Sequence, residues 1–94
     1  MTIELYPLVG SFAENKDIAR DVRQDMINPA LNNGEDVILD FNKIDSTTQS
    51  FIHALLSEII REHGAGAIDK LSFKNCADTV QKIIAIVLDY MQES

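Results

Sequence analysis

Ninety-four residues, 46% of them apolar and 24% charged, make a chain of ordinary globular composition, read as one domain over 1–94. A net charge of −7, with the eight basic residues spread out, disfavours binding to nucleic-acid phosphates or to anionic membranes, both of which need clustered Lys and Arg. Cys76 is the only cysteine, the N-terminus MTIELYPLVG carries no basic leader, and no apolar run approaches a membrane span; together these exclude an intramolecular disulfide and make the cytoplasm the expected compartment.

Residues Thr2 to Val9 are β-rich and partly alternating, which predicts a first strand, with Pro7 marking a sheet edge or the strand's end and Gly10 breaking it. Ser11-Phe12-Ala13-Glu14 fits a capping box, and Asn15 is a second candidate cap. Helix one is expected from about Glu14 to Asn28, with Ile18, Ala19, Val22, Met26 and Ile27 as its apolar stripe. Pro29 should kink or end it, Ala30 and Leu31 extend it by up to a turn, and Asn32-Asn33-Gly34 is a turn signal.

The continuous apolar run Val37-Ile38-Leu39 within Asp36–Phe41 predicts a central strand covered on both faces. After the polar loop Asn42–Thr48, a second helix is expected from near Thr48 to Glu62, its apolar rows set by Phe51, Ile52, Leu55, Leu56, Ile59 and Ile60 and its end by His63-Gly64. Leu71–Lys74 reads as a short alternating strand. A third helix should open at Asn75 or Cys76 and reach Met91, with Ile86 and Tyr90 widening its apolar arc beyond what one sheet face needs. The order β-α-β-α-β-α argues for an α/β fold with a largely parallel sheet and packed helices. A fourth strand has room among the first thirteen residues if Tyr6-Pro7 or Gly10-Ser11 forms a hairpin turn.

Three stretches carry a resemblance: IARDVRQDMINPALNNGEDVILDF, VILDFNKIDSTTQSFIHALLSEIIREHG and LSFKNCADTVQKIIAIV. In order and spacing, over roughly residues 10–90, they resemble the STAS-like domain family of unknown function, itself similar to the STAS domains of bacterial anti-sigma-factor antagonists. The resemblance implies a small STAS-like α/β domain, bacterial and cytoplasmic. It further implies a regulatory role exercised by binding a histidine-kinase-like ATPase, which in the wider superfamily phosphorylates a Ser or Thr at a helix start within a D-S-S-G-L loop. Laid without gaps from Leu39-Asp40, the acidic position of that loop falls on Thr48, the acceptor on Gln49, the next serine on Ser50 and the glycine on Phe51. Gln49 has no hydroxyl, so a phosphoswitch requires Ser50, Thr48, Thr47 or Ser46 in its place.

The residues themselves allow two readings of this turn. Four hydroxyls and an amide over Ser46–Ser50 can form a recognition surface in which a phosphate would meet a helix N-terminus. Ser46-Thr47-Thr48-Gln49 also fits a capping box, which needs no partner at all. The candidate partner-binding set is Asp45, Ser46, Thr47, Thr48, Gln49, Ser50 and His53, with Asn75–Thr79 as a neighbouring segment and Ser50 and Thr48 as candidate phospho-acceptors. Asp40 and Asp45 read as turn caps before they read as cation ligands. His53 and His63 lie ten residues apart and lack metal-pair spacing, Cys76 reads as a small hydrophobe, and Gly64-Ala65-Gly66 is no dinucleotide fingerprint. The expectation is therefore a protein-binding module without catalysis, cofactor or metal, whose partner has a basic or mixed rim; the apolar excess on helix three permits a homodimer without requiring one. A small acidic immunity or antitoxin protein is the alternative, and an enzyme has least support, for lack of a visible nucleophile–base pair.

Overall fold

A computed structural model of the chain describes residues 1–93. In chain order it comprises β1 (Thr2–Glu4), α1 (Tyr6–Val9), β2 (Phe12–Ala13), α2 (Lys16–Val22), a π-helical turn (Arg23–Ile27), α3 (Asn28–Asn32) and β3 (Val37–Asp40). These are followed by β4 (Ser46–Thr47), α4 (Gln49–Leu56), α5 (Ile59–His63), a 3-10 helix (Ala65–Lys70), β5 (Leu71–Lys74) and α6 (Asp78–Glu93). The main sheet has three parallel strands in the order β1-β3-β5, with Ile3, Leu39 and Phe73 in one register row and Glu4, Asp40 and Lys74 in the next.

Both connections step the same way across this sheet. With the right-handed crossovers that parallel strands almost always take, both sets of helices fall on one face. That face is the core: Ile3, Val37, Leu39 and Leu71 are buried with Phe41, Phe51, Leu55, Ile59, Val80, Ile84 and Val87, and the Phe41 and Phe73 rings lie 6.4 Å apart. The other face carries Thr2, Glu4, Ile38, Asp40, Ser72 and Lys74, exposed or half-buried. β3 is thus central, as its apolar run indicates, but covered on one side only. Three parallel strands stepping in one direction leave no helix for the second face.

The first strand ends at Glu4 rather than Val9. Pro7 sits in the first turn of α1, where its missing N–H costs nothing, and Gly10, at φ 75°, donates its N–H to the Tyr6 carbonyl and closes that turn. The fourth strand of the first thirteen residues is β2, and it pairs in parallel with β4 instead of forming a hairpin. The cap of α2 is Asn15, whose Oδ1 accepts from the Asp17 and Ile18 N–H groups; the Ser11 capping box is not used. Pro29 neither ends nor sharply breaks the helix. The turn before it widens to π geometry, with the Asn28 N–H donating to the Arg23 carbonyl, and the chain stays helical to Asn32. A proline ring needs such room because it would otherwise strike the carbonyl four residues back.

The second predicted helix is two helices. Ser57 takes an extended conformation and Glu58 a left-handed one, at φ 66°, between α4 and α5. Arg23 stands against this break. It is only 7% exposed, and its Nη1 donates to the Ala54 carbonyl at 2.7 Å and to the Ser57 hydroxyl. The third long helix starts at Asp78, later than the expected Asn75 or Cys76, because Asn75 adopts φ 58° and turns the chain before it.

Candidate functional site

The loop after β3 is pinned at almost every residue. Ile44 is buried, and its N–H donates to the Phe41 carbonyl at 3.0 Å. Asp45 donates its N–H to Ser11 at 2.8 Å, and its carbonyl accepts the Thr79 hydroxyl at 2.8 Å. Ser46 and Thr47 form β4, and the Thr47 hydroxyl donates to the Ala13 carbonyl at 2.7 Å. The cap of α4 is therefore Thr48, whose Oγ1 accepts from the Phe51 N–H at 3.0 Å, and not Ser46 as the S-x-x-Q pattern suggests. Ser46 lies one strand-pair too far back, engaged with Phe12.

Beyond the cap, the side chains divide sharply. Phe51 and Ile52 enter the core, while Gln49, Ser50 and His53 are exposed. These three line a groove against α6. One part, about 510 Å³, is walled by Lys16, Gln49, Ser50, Ala54, Ile86 and Val87; the next, about 680 Å³, by Ser57, Glu58, Ile60, Arg61 and Met91. His53 and Tyr90 line both parts, so the groove is continuous along α4 and onto α5. On its α6 side, Ile86 is 48% and Tyr90 69% exposed, four residues apart on one helical ridge.

A family model described as STAS-like domain of unknown function (DUF4325) matches residues 19–81, well over half the chain. The chain belongs to the STAS-like family. No curated protein and no solved structure matches it. The match runs from α2 to the opening of α6 and includes the loop, β4 and all of α4. The parallel sheet with helices packed on it is that of a small STAS-like α/β domain.

Within this STAS-like domain the candidate residues separate into two groups. Asp45, Ser46, Thr47 and Thr48 hold the loop through backbone or hydroxyl bonds, whereas Gln49, Ser50 and His53 face the groove. Of the two candidate acceptors, Thr48 spends its hydroxyl on the helix cap, while Ser50 is exposed and its hydroxyl makes no hydrogen bond among the described residues. Asn75–Thr79 does adjoin the loop, through the Thr79–Asp45 bond and through Asn75, whose Nδ2 donates to Asp40 Oδ1 at 3.0 Å. His63 points elsewhere, 3.1 Å from Asn28 Oδ1. The reading of residue patterns missed Lys16, Ser57 and Arg61 as groove residues, because nothing in their local sequence shows that α2, α5 and α6 converge.

At the carboxyl end of the sheet, Asp40 is held below the usual carboxylate range. The Asn75 amide is the main cause, the Asn42 N–H at 2.9 Å the next, and Lys74 adds a smaller attraction against a partial desolvation. A lowered folded-state value means that this carboxylate stabilises the fold in full above its ordinary unfolded midpoint and ceases to as pH falls through the lowered one. Asn75→Gly keeps the left-handed backbone and removes the amide. Carboxyl-carbon NMR titration of that variant should show the Asp40 midpoint moving up toward the ordinary range. The Cys76 thiol is pushed the other way, up, by burial and by the nearby Asp40, which keeps it protonated and poorly nucleophilic at neutral pH.

Proposed function

We propose that this STAS-like domain is a non-catalytic regulatory module that binds another protein through the exposed start of α4 and the groove beside it. The observation that carries the reading is the grouping of Gln49, Ser50 and His53 with the exposed Ile86 and Tyr90 on one groove. Exposed aromatic and aliphatic side chains rimmed by polar groups are the usual make-up of a contact surface. The partner we propose is a histidine-kinase-like ATPase in a bacterial cytoplasm, which the STAS resemblance favours. Ser50 is the acceptor we propose for any phosphoryl control. A phosphate there adds about −1.5 to −2 charges at a helix N-terminus facing the groove, enough to alter a contact made across it.

The test is co-purification of the tagged protein with the products of its neighbouring genes. Gln49→Arg and Ser50→Glu should keep the fold, since both side chains are exposed, and should lose the partner. Normal capture by both variants would remove this face from consideration. A toxic enzyme in the complex in place of an ATPase would change the partner and leave the face intact.

A further inference from the structure

The groove also carries information about what lies in it. Every lining residue belongs to α2, α4, α5 or α6 or to the Ser57–Glu58 break, so no free strand edge borders it. Beyond the first turns of α2 and α4 and the Ser57–Glu58 break, backbone N–H and C=O groups in those helices are paired along the helix axis, and none of them forms an open strand edge. An occupant therefore has no ladder to join and must be recognised by its side chains, which is how an amphipathic helix is read in a helix-lined groove. The ridge it would meet is apolar, with Ile86, Tyr90 and Val87 on one wall and Ala54 and Ile60 on the other.

The charge lining the groove runs against that of the whole molecule. The chain carries −7, yet the groove is lined by two cations, Lys16 and Arg61, against a single carboxylate, Glu58. Glu58 is itself 3.8 Å from Arg61, while Lys16 has no ion-pair partner among the described residues. Resting on the interaction role argued above, we propose that the groove between α4 and α6 receives an amphipathic helix of the partner whose apolar stripe covers Ile86 and Tyr90 and whose flanks are acidic, meeting Lys16 at one end and Arg61 toward the other. The overall charge suggests a basic or mixed partner rim; the groove's own lining sets the opposite preference at this contact. The same geometry explains why a charge at Ser50, which lines the groove with Lys16, would act on binding: it would repel an acidic flank.

The experiment uses the full chain and two fluorescein-labelled helical peptides of about 20 residues, long enough to hold helix in water. Both carry leucine at i, i+4 and i+7; one has glutamate flanks and the other lysine flanks. Fluorescence anisotropy should show the glutamate peptide binding about tenfold more tightly. That preference should disappear or reverse in Lys16→Glu/Arg61→Glu, and both peptides should lose binding to Ile86→Asp/Tyr90→Ala. Because all four positions are on the surface, unchanged thermal melting can confirm that the variants are folded. Equal affinity for the two peptides, or binding indifferent to the Ile86 and Tyr90 changes, would overturn the proposal. So would sedimentation showing that a second copy of the chain occupies the groove. If neither peptide binds while Ser50→Glu still abolishes capture of the natural partner, the helical occupant is wrong and the interaction face stands. If the partner binds Ser50→Glu and Gln49→Arg normally, the face itself is wrong.

Discussion

Phe51→Ala is expected to cost about 3–5 kcal/mol, the range for truncating a fully buried aromatic side chain. Phe51 is 0% exposed and packs in the core with Phe41, Leu55 and Leu56. A small domain holds only about 5–15 kcal/mol in total, so the variant should be largely unfolded or close to it at physiological temperature. Urea denaturation followed by circular dichroism measures this as a large fall in the transition midpoint. Gln49→Ala and Ser50→Ala, two and one positions earlier, should move that midpoint by no more than about 0.5 kcal/mol equivalent, as exposed positions do. The contrast matters more than either value, because it shows the helix start turning one side chain inward and two outward. A tolerated Phe51→Ala would mean that α4 is rotated from the position described here.

The second large effect is expected at Arg23. Its guanidinium serves the Ala54 carbonyl and the Ser57 hydroxyl at the break between α4 and α5, and no carboxylate among the described residues pairs with it. Arg23→Ala leaves a helix-end carbonyl without its donor and removes a buried stem, for a loss of about 1.5–3 kcal/mol. Arg23→Met keeps the stem's packing and should lose less. Urea unfolding gives both values, and native-state amide exchange at Ser57–Ile59 should speed up in either variant. A methionine variant as stable as the parent would show that the guanidinium holds the break in place without adding stability, since buried charge is costly to desolvate.

Much of the fold was legible because the chain's periodicities are clean. Val37-Ile38-Leu39 marked the central strand, the Phe51 to Ile60 rows marked a helical segment after it, though as one helix where there are two, and the order of elements marked a parallel sheet. The failures have identifiable causes. The uncovered sheet face follows from the direction in which strands are added, which no local pattern encodes. The break at Ser57–Glu58 has no Gly or Pro to announce it, because its partner is Arg23 in another helix. A signal for Arg23 did exist: it lies four residues from both Ala19 and Ile27, in the middle of a buried stripe. The capping box at Ser46 failed because Ser46-Thr47 was already claimed by Phe12–Ala13, a pairing between segments more than thirty residues apart.

For the candidate site, residue types marked the stretch Asp45–Ser50 with His53, without separating the residues that hold the loop from those exposed on the groove, and showed Ile86 and Tyr90 widening the apolar arc of the last helix. That these belong to one groove is a tertiary fact. So is the division between Thr48, consumed by its cap, and Ser50, left free.

The reading of this STAS-like domain rests on recognition at the groove between α4 and α6. Hydrogen–deuterium exchange on the purified complex, compared with the free protein, tests it directly. Slowed exchange confined to residues 48–57 and 82–90, with the open sheet face at Thr2–Glu4 and Leu71–Lys74 unchanged, is the expected footprint. Protection centred on that sheet face, with α4 and α6 unaltered, would contradict the account.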